Sequence, residues 1–261
     1  MKIGIVGYGY VGKATERMLP KNYEVIVKDP KIGFKDLENK ISDCDIIFVA
    51  INETDVSMSN LFQLVDELIK NNTKGIIVIR TTVLPGTIDK LTQRYSRTFV
   101  YMPEFLREWN YEYDSEHPDK IVIGTEDKET FDKLRKLFAH KNAPIIQVKP
   151  VEAELAKLSL NALGMIKVVF AEELYNLATT LEADYQSIYR IFELDRNVNV
   201  RHLIPNKDGY RGADGKCLPK DTYFLIQSGI DNNSRMLLLE TAKMINDFML
   251  RLGEINREER K

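Results

Sequence analysis

A short apolar run from Lys2 to Val6 leads directly into Gly7-Tyr-Gly-Tyr-Val-Gly12, and a helical pattern (Val11, Ala14, Met18) follows. A second apolar run, Tyr23 to Lys28, ends in Asp29. This spacing predicts a strand, a helix and a second strand wound as one βαβ unit, with the glycines in its first turn. Parallel strands need such a crossover, and its hand is almost always right, so this stretch restricts the fold severely. Gly7 permits a tight turn, Gly9 lets the backbone approach a pyrophosphate, and Gly12 lets helix and strand pack closely. Phosphates then meet the N–H groups at the helix start, which makes Gly7, Tyr8, Gly9, Tyr10, Val11 and Gly12 candidate cofactor-binding residues. Asp29 stands 17 residues after Gly12. A carboxylate there accepts from an adenosine ribose 2′-hydroxyl and repels a 2′-phosphate, so NAD is expected rather than NADP. The bland alternative is a glycine-rich turn that holds no ligand.

Strand and helix patterns continue to alternate. Strands are expected over 45–50, 75–80, 97–102, 120–123 and 144–148, with helices over 61–69, 87–95 and 128–140. Continuous apolar strands of this kind suit a mostly parallel sheet. The fold class expected is therefore α/β, a Rossmann-type domain over residues 1–150. Ligands in such sheets bind beyond the carboxyl ends of the strands. Thr81, Thr82 and the stretch Pro103-Glu-Phe-Leu-Arg-Glu108 all follow strand ends.

The pattern changes after Pro150. From Val151 to about Leu181 there is no proline and one glycine, Gly164, with apolar residues around most of the circumference. This predicts a long central helix, buried all round, opening a small all-α domain over 151–261 that serves dimerisation and substrate binding. Lys157 and Asn161, four residues apart, share one face of it, with Glu154 one turn before. A buried lysine needs a partner or a task, unless its stem lies on the core and its amine reaches water. Further helices are expected over 184–193, 221–228 and 233–258, with a charged, frayed tail over 254–261.

Cys217 lies in Gly212-Ala-Asp-Gly-Lys-Cys-Leu-Pro-Lys-Asp221, preceded by glycines at 209, 212 and 215. Such glycines let a backbone turn tightly and approach a ligand. Pro219 suits the first turn of a helix. A cysteine at a helix N-terminus with cations nearby is an activated nucleophile, while the plain alternative is a small hydrophobe in a loop-to-helix turn.

Net charge is −2, so no polybasic surface argues for nucleic acid or membrane. The two cysteines, 44 and 217, and the three histidines form neither a disulfide framework nor a metal-ligand spacing. Cys44, at a strand edge, reads as structural. Met1 runs straight into a strand and no apolar run reaches membrane-spanning length, so a cytoplasmic protein is expected.

Five pieces in fixed order now carry a resemblance: residues 7–12, Thr81-Thr-Val83, residues 103–108, Ala153-Glu-Leu-Ala-Lys157 with Asn161, and Gly215-Lys-Cys-Leu-Pro-Lys-Asp221. The chain resembles the UDP-glucose/GDP-mannose dehydrogenase family, without that family's C-terminal nucleotide-binding domain. The resemblance implies NAD-dependent four-electron oxidation of a nucleotide-sugar C6 alcohol to a uronate, through a thiohemiacetal and a thioester on Cys217. It implies Glu104 as general base, Lys157 and Asn161 as oxyanion stabilisers, and Thr82 and Asp221 as residues that position water. It places Glu108 and Lys220 against substrate and cofactor, and Thr82 beside the cofactor. Glu104, Phe105, Leu106, Arg107, Glu108, Lys157, Asn161 and Gly212 would line the substrate, with Arg201 reaching across a homodimer interface. Asp214 stands where the family has glycine and would raise the pKa of the neighbouring thiol, with Lys216 as an offset. Two alternatives remain: a two-electron β-hydroxyacid-type dehydrogenase, and a non-catalytic NAD-binding protein of the same fold.

Overall fold

The βαβ unit forms as the glycine spacing predicts. In a computed structural model, which describes residues 1–30, 38–206 and 211–258, the chain opens with β1 (Lys2–Val6), α1 (Tyr10–Met18) and β2 (Glu24–Lys28). There follow α2 (Glu38–Ser42), β3 (Ile46–Val49), α3 (Ser59–Lys70), β4 (Ile76–Ile79), α4 (Thr87–Tyr95) and β5 (Phe99–Tyr101). A 3-10 turn (Glu108–Asn110) and α5 (Tyr111–Glu116) lead to β6 (Ile121–Gly124), α6 (Lys128–Phe138) and β7 (Ile145–Val148). The remainder is helical: α7 (Pro150–Thr180), α8 (Tyr185–Leu194), α9 (Leu218–Asp231) and α10 (Leu237–Glu258). The chain divides into two compact units, Met1–Lys157 and Leu158–Lys261.

In the first unit the strands form one seven-stranded sheet in the order β2-β1-β3-β4-β5-β6-β7. All neighbours are parallel except β5 and β6, which meet at Tyr101 and Gly124. The connection between them, residues 102–120, carries a 3-10 turn and the six-residue α5 in place of a full crossover helix. Strand order reverses between β1 and β3, so a crevice is expected at the carboxyl ends of those two strands. Every residue of β3 is buried, and the fully buried Phe48 meets Phe138 of α6 edge-on at 6.1 Å. Removing a side chain of this kind from water contributes about 1.5–3 kcal/mol.

Helix starts in this unit are satisfied in unequal ways. Asp127 caps α6 locally, accepting from Glu129 N–H at 3.1 Å. The start of α4 has no side-chain cap of its own, because Gly86 precedes it with φ +84°. Its donors are met from another helix, the buried Glu154 of α7 accepting from Gly86 N–H at 2.6 Å and Ile88 N–H at 2.9 Å.

The second unit packs α8, α9 and α10 with the remainder of α7 around two small cores. One holds Met165, Val169, Ala213 and Ala242, the other Ala171, Ala178, Tyr185 and Leu203. The single glycine of α7 has a packing reason, since a Cβ on Gly164 would lie 3.1 Å from Leu218 and 3.3 Å from His202.

Three expectations need correction. The long helix is not buried all round, because one stripe of it (Leu163, Phe170, Leu177) is about half exposed while Met165, Val169, Ala171 and Ala178 enter the cores. The cysteine helix begins at Leu218 rather than Asp221, since Pro219 fits its first turn. The last helix begins at Leu237 rather than Asn233, which has φ +55°. Gly209 and residues 259–261 of the charged tail lie outside the described residues.

Candidate active site

The glycine loop separates into two packing glycines and one open one. A Cβ on Gly7 (φ +87°) would lie 2.5 Å from the Ala50 carbonyl oxygen, just past β3. A Cβ on Gly12 would lie 2.1 Å from the Gly7 carbonyl oxygen. Both positions therefore require glycine for the chain to close on itself. Gly9 instead faces open space, with nothing within 4 Å of where its Cβ would stand. That gap lies at the N-cap of α1, whose first turn has neither a side-chain cap nor an acidic residue. A space a side chain would fill, beside uncapped helix N–H groups, fits the pyrophosphate of a dinucleotide. Asp29 braces the loop, accepting from Tyr8 N–H at 2.6 Å. Tyr8 bonds Glu16 through its hydroxyl; that bond, then burial, push its pKa up to about 12.

Beyond β5 the first unit holds a buried ion pair. Lys157 Nζ lies 2.8 Å from Glu104 Oε1, and both side chains are almost wholly buried. The lysine amine therefore has a partner rather than a route to water. Burial alone would raise the Glu104 pKa, but the Lys157 charge, its hydrogen bond and the Leu106 N–H outweigh it and hold the carboxyl below its ordinary value. Phe105 is flanked by cations, with Lys120 Nζ 4.4 Å and Lys157 Nζ 5.9 Å from its ring centre. Leu106 and half-buried Thr82 adjoin strand ends, while the Thr81 hydroxyl is engaged structurally with Ile51 O at 3.0 Å. Arg107 is directed elsewhere: its guanidinium pairs with Asp114 and lies 4.8 Å from the ring of exposed Trp109. Glu108 is exposed at the start of the 3-10 turn.

The second unit assembles the cysteine group. Cys217 is the N-cap of α9, and the Asp221 N–H donates to its carbonyl at 2.9 Å. Asp221 is buried, and its Oδ2 accepts from Asn161 Nδ2 at 2.6 Å. Its Oδ1 has no hydrogen-bond partner among the described residues. Lys220 Nζ stands 3.3 Å from that oxygen, a charge contact rather than a hydrogen bond. Asp214 turns its carboxylate to the Gly215 N–H at 2.7 Å and is exposed. Arg201 is exposed on the loop after α8, its N–H held by Asn199. Gly212 has φ +84°, and a Cβ there would meet Asn246 Oδ1 at 2.9 Å.

Several residues were not anticipated. Arg80, at the end of β4, is buried with its Nε unpartnered among the described residues, and burial lowers its pKa to about 10. Glu172 and Asn246 are buried polar groups within α7 and α10. Each stands beside a second polar residue, Glu173 and Asp247, so the sequence does not single it out, and its partners are distant in the chain. Cys44 is buried, and burial pushes its thiol up to about 11, which suits an inert position. Among the described residues no helix is long and apolar enough to cross a membrane.

Comparison with known proteins agrees with this architecture. Residues 16–142 match the NAD binding domain of the UDP-glucose/GDP-mannose dehydrogenase family, and residues 151–248 match that family's central domain. UDP-glucose 6-dehydrogenase YwqF of Bacillus subtilis is 30% identical over 249 residues, 89% of this chain and 54% of that protein. The chain thus spans about half the length of that relative. A UDP-glucose dehydrogenase structure from Pyrobaculum islandicum superposes with a TM-score of 0.82 at 24% identity, covering 95% of this chain and 68% of that one. Mycobacterium tuberculosis 3-hydroxyisobutyrate dehydrogenase shares the fold, with a TM-score of 0.77 at 13% identity over 94% of this chain and 92% of its own. With two consecutive domains matched in order, and a glycine loop that fits a dinucleotide, the chain belongs to the UDP-glucose/GDP-mannose dehydrogenase family and uses NAD.

Proposed function

We propose that this chain oxidises the C6 alcohol of a nucleotide sugar to a carboxylate, with Cys217 as nucleophile. The observation that carries this reading is the cysteine group itself: a thiol-bearing residue at the N-cap of a 14-residue helix, one turn before a buried carboxylate with one oxygen that has no hydrogen-bond partner among the described residues. A two-electron dehydrogenase has no use for the thiol. An acceptor oxygen without a hydrogen bond suits a water or hydroxyl held for reaction.

When bound, NAD accepts one hydride in each of two successive oxidations. Gly7 through Gly12 and Asp29 would hold it, with Thr82, Glu108 and Lys220 completing the cofactor contacts. The alcohol gives its proton to solvent water and its C6 hydride to the cofactor, which leaves an aldehyde. The Cys217 thiolate forms a C–S bond to its carbon, and the electron pair of the C=O bond moves to oxygen. Lys157 and Asn161 stabilise that oxyanion, as charged and polar donors do in water-poor surroundings. Loss of the second hydride leaves a thioester. Water, positioned by Thr82 and Asp221, then adds to the carbonyl as Glu104 takes one of its protons, and the C–S bond breaks to release thiolate and the carboxylic acid, which gives its remaining proton to solvent. The resting ion pair links two of these roles. As Lys157 turns to the oxyanion, Glu104 loses its counter-charge, and burial then strengthens it as a base when water must be deprotonated. The sugar nucleotide is bound by Phe105, Leu106, Glu108 and Gly212 in addition to the catalytic groups, while the Arg107 guanidinium is engaged by Asp114.

The test is the yield of NADH per sugar nucleotide over UDP- and GDP-sugars. Two NADH and a carboxylate are expected from the parent, and no carboxylate from Cys217→Ala. One NADH, insensitive to Cys217, would identify a β-hydroxyacid-type dehydrogenase. Binding of NADH without turnover of any sugar nucleotide would identify a non-catalytic NAD-binding protein.

A further inference from the structure

We propose that Asn246 and Glu172 are positioning residues that set the reactivity of the Cys217 thiol by clamping the backbone before it. The proposal rests on the reading of Cys217 as nucleophile, but its test does not require turnover. Asn246, buried in α10, pairs with both backbone groups of Ala213: its Oδ1 accepts from Ala213 N–H at 2.6 Å, and its Nδ2 donates to Ala213 O at 3.0 Å. The side-chain amide thus mimics a strand partner for one residue of the loop. Glu172, buried in α7, accepts from Asn206 N–H at 2.7 Å, from Gly212 N–H at 3.3 Å and from Arg211 Nε. Arg211 is itself fixed, donating to Glu172 O at 3.1 Å and Asn176 Oδ1 at 2.9 Å, with its guanidinium 5.5 Å from the Tyr175 ring centre.

Two helices therefore hold consecutive residues, 211 to 213, from two directions. Gly212 belongs to the device. Its φ of +84° turns the chain between the two grips, and a Cβ there would press on Asn246 Oδ1 at 2.9 Å. Four residues later the chain enters α9 with Cys217 at its N-cap. A short tether of this kind fixes where the thiol sits relative to the helix N–H groups and to Asp221. Displacing a reacting atom by about 1 Å changes rates by up to about a hundredfold. Apolar residues would pack these helix faces equally well, so two buried polar groups aimed at one loop call for a reason beyond stability.

The experiment is the rate of reaction of the intact chain with 4,4′-dithiodipyridine as a function of pH, beside melting temperature and NADH affinity. A Cys44→Ala background leaves Cys217 as the single thiol. Asn246→Ala is expected to change the Cys217 rate about tenfold or more and to move its pH midpoint, with NADH affinity unchanged. Glu172→Gln and Gly212→Ala, which disturb the same clamp from other sides, are expected to act in the same direction. Asn246→Asp provides rescue. Ionised, it cannot donate to Ala213 O and should behave like the alanine variant. Protonated at low pH it has both a donor and an acceptor, and its rate relative to the parent should return towards one. A lowered melting temperature with an unchanged Cys217 rate and pH midpoint in the folded variants would overturn the proposal. If the rates respond as expected but no sugar nucleotide gives two NADH, the functional reading fails and the clamp stands.

Discussion

Lys157 and Glu104 illustrate how little a single buried residue means without its partner. The pair is 2.8 Å long and nearly dry. Removing one member of such a pair costs about 3–5 kcal/mol, because the other charge stays buried without compensation. Lys157→Met is expected to lose stability in that range by chemical denaturation. The pH dependence has a sign that checks the cause. In the parent, Glu104 is held below its ordinary pKa, so its stabilisation is present above the unfolded value of about 4.3 and is lost as pH falls below it. In the variant, burial is opposed only by the Leu106 N–H and the Arg80 charge, and it raises the Glu104 pKa. Its contribution is then lost as pH rises from about 4.3 towards neutrality, and the slope of stability against pH reverses. An unchanged slope would mean that Lys157 does not set the ionisation of Glu104. In sequence, the shared face of Lys157 and Asn161 was visible, but a lysine stem lying on the core explains it as well, and only the family resemblance gave the two residues a role. Asn246 and Glu172 did not stand out, since their partner loop is more than 30 residues away in the chain and only the fold brings it near.

At the level of elements, α4 depends on a cap it does not encode. Gly86 offers no side chain, and the acceptor for Gly86 and Ile88 N–H comes from Glu154, 66 residues beyond Ile88. Glu154→Ala leaves buried donors unsatisfied, and a cost of about 1–3 kcal/mol is expected, read as a lower melting temperature. Burial outweighs the two N–H donors and pushes the Glu154 pKa up to about 7. A carboxyl raised in the folded state contributes fully below its unfolded pKa, and that contribution is lost as pH rises through about 7. Glu154→Gln cannot ionise, so its stability should lack this decline between about pH 4.5 and 7. A parallel decline in parent and Gln variant would assign the titration to another group. Elements with strong periodicity were legible before the fold was known: α4 has the bounds expected of it, and the buried strands differ from expectation by a residue or two at their ends. The 3-10 turn and α5 were not, because Glu108 to Glu116 is short and its three aromatic residues, Trp109, Tyr111 and Tyr113, alternate with polar ones rather than following a helical period. The reversal between β5 and β6 is not marked in the sequence either, because residues 102–120 between them are long enough for either sense.

At the scale of the molecule, α7 leaves a stripe of apolar side chains exposed on an isolated chain. Leu163, Phe170 and Leu177 recur every seven residues and are 49%, 50% and 54% exposed, with Leu160 at 48% continuing the stripe. A seven-residue repeat along one helix suits packing against a second helix, and each such side chain buried contributes about 1.5–3 kcal/mol. Homodimerisation through this stripe is the proposed remedy. Phe170→Asp together with Leu177→Asp should give a monomer by light scattering at micromolar concentration, whereas the parent should be a dimer. An unchanged dimer would move the interface elsewhere, for instance to the exposed apolar positions Leu238, Met244 and Phe248 of α10. Arg201 then supplies a sharper test, because it is exposed on the loop after α8 and is proposed to serve the substrate of the neighbouring chain. Arg201→Ala and Cys217→Ala homodimers should each be inactive. In a mixed dimer one active site receives the intact arginine from one chain and the intact cysteine from the other, while the second site lacks both. Mixing the two variants under exchange should therefore recover up to half of the parent activity per mixed dimer. With mixed dimers demonstrated by mass spectrometry, no recovery would show that each chain's Arg201 serves its own Cys217 or neither, and the shared-site reading would fall while the dimer itself stood.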